Sequence, residues 1–418
     1  MKNKILLVSR VLLGIVFVFS GFVKAVDPLG FNYKIEDYLI AFGWDMFLPL
    51  TFIMAVGLSC LEFVIGANLL LGANVRITAP FALLFMIFMT PLTLYLAINN
   101  PVTDCGCFGD ALVISNWQTF YKNVILAAVA ICVFVLRKEG RQVIKNRTQW
   151  LLTAFSGVFI VLFSLHCYYN LPIFDFRPYK VGNNIVEGMT VPHNAPQDVY
   201  KTIFVYEKNG KKKEFTLENF PDGDSSWTFV KQQSTLIEKG YEPPIHDFTI
   251  ETEDDGDITS EVLRNKGYTF LLISSKLSEA NLSNQDKINR IYQFAQNNGY
   301  GFYCMSSSFG TEVENFKQKT GAKYPFAVSD EIMLKTVIRS NPGLVLIKNG
   351  TILNHWHYRN LPEFKEPLQK SAFGKVQKPN NIVILLIVLC CFLAPTGLIF
   401  LSDKFDIQYI NSKSINKY

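Results

Sequence analysis

Charge is scarce in this chain. Asp, Glu, Lys and Arg make up 18% of its 418 residues, and 49% are hydrophobic. An ordinary soluble protein carries about 25% charge. A wholly soluble enzyme, a disordered chain and a collagen-like fibre are therefore excluded. Cysteine is sparse, at eight residues, too few for a disulfide-stapled scaffold. No Cys-x-x-Cys pair occurs anywhere, so the usual dithiol motif is missing. Histidine is rarer still, at five, and no Cys and His spacing fits a zinc site. The net charge of +5 is modest and no basic patch interleaves with aromatics, which argues against nucleic acid as a partner.

What is present in quantity is long apolar runs. A helix needs about 20 apolar residues to cross a bilayer. Six stretches qualify, near 5–23, 48–71, 77–98, 118–136, 150–169 and 382–401. The first opens on Met-Lys-Asn-Lys, as a signal peptide would. It is long, however, is followed by Lys24, and ends in no small-x-small cleavage site, so it is read as a retained span. The lipid bilayer is thus the first partner. Lys and Arg concentrate in cytoplasmic loops. The segment 137–149 holds Arg137, Lys138, Arg141, Lys145 and Arg147 against the single acid Glu139, and is placed inside. Counting outward, both termini are cytoplasmic, with Lys2, Lys4, Lys404, Lys413 and Lys417, and so is Arg76. Residues 170–380 and the loop 99–117 fall outside. In a bacterium that is an inner-membrane, multi-pass protein with a periplasmic domain.

Residues 170–200 read as an extended linker. Ile203–Tyr206 and Glu214–Leu217 flank Lys208-Asn209-Gly210-Lys211, a likeness to a tight hairpin. Between 245 and 358, strands and helices alternate. Strands are expected at Phe248–Glu251, Thr269–Ser274, Gly301–Met305, Leu344–Ile347 and Ile352–His355, and helices at Thr259–Asn265, Asp286–Gln296, Val313–Thr320 and Asp330–Val337. A second Asn-Gly turn, at 349–350, joins the last two strands. Such alternation closed by a hairpin is an α/β sheet.

This order resembles the thioredoxin fold, in its membrane-tethered TlpA and peroxiredoxin-like branch. The most specific match is Ser340-Asn341-Pro342-Gly343 ahead of Leu344–Gly350, where the fold places a cis-proline, here Pro342. One departure is decisive. Where the family carries Cys-x-x-Cys, after the first central strand, this chain has Ser274-Ser275-Lys276-Leu277. Disulfide exchange needs a thiolate and a resolving thiol, so this domain cannot run the usual reaction alone. Its one cysteine, Cys304, reads as a buried strand residue. The competing reading is a lone thiol that pairs with the membrane loop.

The sharpest local signal lies in that loop, Asp104-Cys105-Gly106-Cys107-Phe108-Gly109-Asp110. The two glycines let a short loop turn back toward the membrane. Cys105 and Cys107 can close a small, tight disulfide ring, more oxidising than a relaxed one. Three readings stand: a redox-active pair, a structural disulfide, or part of a metal site with Asp104 and Asp110. The first is favoured, and it would meet a periplasmic thiol protein on one side and quinone on the other.

Residues 10–28, from Arg10 through Gly14 and Ser20-Gly21 to Lys24 and Asp27-Pro28, resemble the opening helix of DoxX-like membrane proteins. Glu62–Gly66 followed by Leu69–Gly72 resembles their second helix, and the Cys-Gly-Cys-Phe-Gly loop is similar to the MauE branch, the methylamine-utilisation proteins. The resemblance covers about residues 5–138. It implies a four-helix membrane bundle tied to disulfide or quinone chemistry. No residue here argues for a methylamine role. The fold class expected is therefore an all-α transmembrane bundle, four DoxX/MauE-like helices plus two further spans, with an α/β thioredoxin-like extracytoplasmic domain. The divisions expected are 1–138 for the bundle, 139–169 for the cytoplasmic loop and fifth span, and 170–243 for linker and hairpin. Residues 244–378 form the thioredoxin-like domain and 379–418 the sixth span and tail.

Polar groups inside spans complete the candidate set. A charge there costs at least ~2.5 kcal/mol, so Glu62 must be paired or functional. Arg10 is the expected partner, in an ion pair locking two helices; Arg10 snorkelling to the surface and Glu62 at a proton or quinone site are the alternatives. Cys60, Cys132, Cys390 and Cys391 read as small apolar residues. Cys167, beside His166 at the end of the fifth span, could reach the loop cysteines. His355 and His357 read as a solvated strand face. Two functions of different class follow: a membrane thiol–disulfide oxidoreductase acting through Cys105 and Cys107, or a non-catalytic envelope docking protein with a degenerate thioredoxin-like domain. The orientation is directly checkable. A cysteine introduced near Lys211 should react with a membrane-impermeant reagent in intact spheroplasts, and one near Lys145 should not; the reverse pattern would invert the topology.

Overall fold

The structure is a computed structural model that describes residues 1–102, 105–139, 144–208, 210–217, 219, 226–238 and 240–415, with side chains through residue 404 apart from Leu236. Asp104, Arg141, Asn209 and Lys417, and the side chain of Lys413, lie outside the described set. In chain order the membrane half comprises α1 (Lys2–Val26), α2 (Pro28–Ala41), α3 (Thr51–Leu71), α4 (Val75–Asn99), α5 (Asn116–Leu136) and α6 (Asn146–Tyr169). A short α7 (Ile185–Met189) follows, then β1 (Val199–Lys208), β2 (Lys211–Phe215) and β3 (Thr228–Glu238). The second half holds β4 (Glu251–Thr252), β5 (Gly256–Asp257), α8 (Thr259–Arg264), β6 (Tyr268–Ile273), α9 (Gln285–Asn297), β7 (Gly301–Ser306) and α10 (Thr311–Thr320). It closes with β8 (Phe326–Val328), α11 (Glu331–Val337), β9 (Gly343–Lys348), β10 (Thr351–His357) and α12 (Asn381–Ile415).

Among the described residues six helices are long and apolar enough to span a membrane, and they coincide with the six runs read from the sequence. The chain is a multi-pass membrane protein. α1 and α3 meet at glycine. A Cβ on Gly21 would come within 2.5 Å of the Phe63 amide nitrogen, and one on Gly66 within 2.5 Å of that of Val18. Small residues at such crossings let backbones approach, which is how helices associate where lipid is as apolar as leucine. α12 docks beside them through Phe392, whose ring lies 5.0 Å from Phe159 and 5.4 Å from Phe63. Helix α2 was not expected. Asp27 caps it by accepting from the Gly30 amide at 2.9 Å, and Pro28 opens its first turn. Asp-Pro is a helix-start signal that could have found it.

The α/β sheet runs β10-β9-β6-β7-β8-β4-β5. β6, β7 and β8 are parallel, whereas β9 pairs antiparallel with both β6 and β10. Successive residues of β6 serve opposite faces. Leu271 and Ile273 pack with α8 and α11, while Phe270 and Leu272 pack with α9 and α10. The Asn341–Pro342 bond ahead of β9 is cis, and Asn349 and Gly350 carry the positive φ of the closing hairpin. This is the thioredoxin-like arrangement.

Three expectations are corrected. Phe248–Glu251 is not a strand; only Glu251–Thr252 pairs, while Phe248 and Ile250 serve as buried packing. The hairpin near residue 210 has strands of other lengths, and gains a third partner, giving the sheet β2-β1-β3. β3 carries Lys231, Gln232, Gln233 and Ser234, which hide the apolar alternation that marks a strand. His355 and His357 do not form a solvated face. His357 is 5% exposed and the His355 Nε2 is buried. Burial pushes both imidazoles down to about 4, so both stay neutral at ordinary pH.

Candidate functional site

The first structural fact of the site is an ion pair inside the bundle. Lys24 Nζ donates to both carboxylate oxygens of Glu62, at 2.6 and 2.7 Å, and to Ser20 Oγ at 3.0 Å. Lys24 and Glu62 are 4% and 3% exposed. This corrects the expected Arg10–Glu62 pair. Arg10 lies about four helical turns from Lys24 along α1, too far to meet the same carboxylate. Its Nε donates instead to the Leu69 carbonyl at 3.0 Å, at the other end of the bundle. Lys24 was read as a flank of the first span, but α1 continues to Val26 and carries it inside.

The ion pair holds the cysteine loop. Ser20, which accepts from Lys24, donates its hydroxyl to the Cys107 carbonyl at 2.8 Å. Helix α2 holds the loop from the other side, Tyr38 donating to the Cys105 carbonyl at 2.6 Å. Gly106 has φ +64°, and a Cβ there would strike Lys34 at 2.8 Å, so glycine is required on both counts. The two thiols are free, buried, and 2.8 Å apart at sulfur. Losing two electrons would join them with a movement of under ~1 Å. Their acidities diverge. Cys105 is raised by its hydrogen bond to Cys107 and by burial; Cys107 is lowered by that same hydrogen bond, then by the nearby Lys122 and Lys24 ammonium groups. These opposed directions favour the proton on Cys105 and negative charge on Cys107. Lys122 sits 4.1 Å over the Phe108 ring, beside that charge.

The α/β domain is fastened to this loop by Arg339, three residues before the cis-proline. Arg339 Nε donates to Asp27 at 2.8 Å, and Nη2 lies 3.5 Å from Asp110 of the cysteine loop. Arg339 and Lys335 also lie over the Tyr33 ring of α2, at 5.7 and 4.6 Å. Burial raises the Tyr33 phenol to about 12, so it stays protonated. The segment where a thioredoxin would carry its dithiol is tied to the cis-proline loop: Ser274 donates to Asn341 Oδ1 at 2.6 Å, and Asn341 donates to the Lys276 carbonyl at 3.0 Å. The loop that carries Pro342 thus lies against the membrane half through Arg339.

Of the residues singled out from the sequence, Cys105 and Cys107 are brought together, and Glu62 lies beneath them. Cys167 packs elsewhere, against Ala25, Val26 and Phe174. Cys304 is fully buried in the face of the sheet lined by α9, its thiol pushed up by burial. Asp110, named as a metal ligand in one reading, is engaged by Arg339. Lys24, Lys122, Tyr38 and Arg339 were missed. Only Lys24 left a signal, as a lysine just beyond a span that α1 could extend to include.

Two family models match the chain. Residues 2–136 match the methylamine utilisation protein MauE, and residues 200–239 match a domain of unknown function, DUF8463. The second coincides with the three-stranded sheet, the region expected to be linker and hairpin. No curated protein matches. Among solved structures, the chain is similar to a solution structure described as "a putative protein disulfide isomerase from Bacteroides thetaiotaomicron". That likeness has 19% identity and a TM-score of 0.24, and covers 28% of this chain and 77% of that one.

The ion pair generates a test. Removing one member of a buried pair leaves an uncompensated charge, at about 3–5 kcal/mol, whereas replacing both by apolar groups costs far less. In detergent, Lys24→Met and Glu62→Leu alone should each lower the thermal midpoint sharply, and the double variant should recover most of the loss. Arg10→Gln should not mimic either single change. Single variants as stable as the wild type would remove the pair from its place in the account.

Proposed function

We propose that this chain is an inner-membrane thiol–disulfide redox protein whose working pair is Cys105 and Cys107, with residues 170–380 on the periplasmic side. The observation that supports it most is the pair itself: two free sulfurs 2.8 Å apart, one acidified and one not. That is the asymmetry exchange needs, an attacking thiolate and a resolving thiol. The Cys107 thiolate attacks a partner protein's disulfide, forming a mixed disulfide and expelling one partner thiolate. Cys105 then attacks the Cys107 sulfur, closing the loop disulfide and releasing the second partner thiol; its own proton goes to the departing sulfur. The partner gains two electrons and the loop loses two. A second dithiol protein restores the loop by the reverse steps.

The resemblance implies disulfide or quinone chemistry, with quinone one candidate cofactor. The cavity against Cys107 is lined by Phe17, Phe85, Met86 and Met89 with Lys24 and Glu62, and measures about 30 Å³. That is room for about one water. No step is therefore routed through a quinone.

Burial of the thiols, at 6% and 8% exposure, bears on how a partner reaches them. Helix α2 is the cover, through Tyr38 and Lys34, and Arg339 pins the start of that helix through Asp27. Exchange requires that cover to lift. The same burial favours a second reading, a docking protein in which the thioredoxin-like domain, having no dithiol, only binds. The two readings part on single substitutions. Cys105→Ser and Cys107→Ser should insert normally, lose function in cells, and leave a remaining thiol; in Cys105→Ser that thiol, on Cys107, should accumulate mixed disulfides with a partner. A Cys105→Ser/Cys107→Ser protein that is stable and fully active would leave docking as the function.

A further inference from the structure

At the end of the bundle opposite the cysteines, three arginines converge. Arg10 from α1, Arg76 from the first turn of α4 and Arg137 just past α5 line one cavity of about 250 Å³, and among the described residues that line it none is an Asp or Glu. Like charges gathered without a counter-charge repel one another, so the arrangement calls for an anion. The cavity is built by a fixed polar network. The Asn74 amide donates to Gln149 Oε1 at 2.7 Å, Asn74 Nδ2 to Thr153 at 3.0 Å, and Thr153 to Asn68 at 2.9 Å. These bonds hold the N-terminus of α4 against that of α6. Both helices exceed 20 residues, and helix N-termini present amides and a positive dipole to an anion. Arg10 is anchored by its Nε on the Leu69 carbonyl. Arg137 lies over the Phe134 ring at 3.8 Å and gives one guanidinium nitrogen to the Phe134 carbonyl. Each therefore keeps further N–H groups for a ligand.

The wall of the cavity says what kind of anion. Leu6, Ile77 and Trp150 stand among the arginines, and Ile77 and Trp150 are about half exposed, at 47% and 55%. Tryptophan at a span's end sits at headgroup level. A free phosphate has no use for these apolar groups, whereas a lipid brings its glycerol and upper acyl chain with its phosphate. We propose that this cavity binds the phosphate of an anionic phospholipid, of the phosphatidylglycerol class, clamped between Arg10, Arg76 and Arg137. Basic pockets between spanning helices recognise such headgroups by charge and donor geometry. The site is independent of the cysteine chemistry, which lies at the other end of the bundle.

The test uses the full chain in zwitterionic micelles, with phosphatidylglycerol, phosphatidylcholine or sodium phosphate added. Phosphatidylglycerol should raise the thermal midpoint, while phosphatidylcholine and phosphate leave it unchanged. Native mass spectrometry should find a phosphatidylglycerol retained through dilution by the wild type. Arg76→Gln/Arg137→Gln should lose both the shift and the retained lipid. Equal stabilisation by sodium phosphate would make this a soluble-anion site and overturn the lipid assignment. So would an undiminished lipid shift in the double variant, which would place the lipid elsewhere. Should that variant not fold, the wild type decides alone: retention of phosphatidylcholine equal to phosphatidylglycerol, or of neither, contradicts the proposal.

Discussion

A carboxylate within a lipid-embedded bundle is tolerated only with a partner, and here Lys24 meets Glu62 with both oxygens engaged. The remainder of the membrane domain is arranged about that contact. Glycines at 21 and 66 bring α1 and α3 close enough for it to form. Ser20, on the same face of α1, passes a hydrogen bond from the ammonium group to the Cys107 carbonyl. The ion pair therefore does two things. It fixes the register of two spans, and it sets the height and charge environment of the cysteine loop. The Lys24 ammonium, with Lys122, favours negative charge on Cys107.

The α/β domain adds restraint where a thioredoxin would add chemistry. Its sheet keeps the fold's topology and its cis-proline loop, but Ser274 and Ser275 stand where the dithiol would be. The loop before Pro342 supplies Arg339, which reaches two aspartates of the membrane half. The loop that carries Pro342 is thus turned to the chain's own membrane domain. The only close dithiol among the described residues lies across that contact, in the loop that Asp110 closes.

The spans were legible because membrane burial demands uniform apolarity over about 20 residues, a signal no local feature can mimic. The central strands and helices of the α/β domain were legible for a related reason: β6 is apolar on both faces because both are covered. The elements that escaped are short or lack an apolar alternation. β8 is three residues long, and β3 is largely polar along its centre. The site was half legible. Cys105-Gly106-Cys107 declared itself by spacing and glycine. The partner of Glu62 did not, because choosing between Arg10 and Lys24 requires knowing where along α1 the facing helix crosses. Arg339, 312 residues from Asp27 in sequence, left no trace a single chain could show.

Thiol–disulfide exchange requires the cysteine pair to change state. Its most direct measurement is the thiol status of Cys105 and Cys107 in the wild-type protein, trapped by acid in intact cells and resolved by alkylation with a mass-adding maleimide. A redox pair should appear in both dithiol and disulfide forms, with the proportions moving when a membrane-permeant reductant or oxidant is supplied and returning after its removal. A pair found wholly in one form, and unmoved by either reagent in folded protein, would contradict the redox reading.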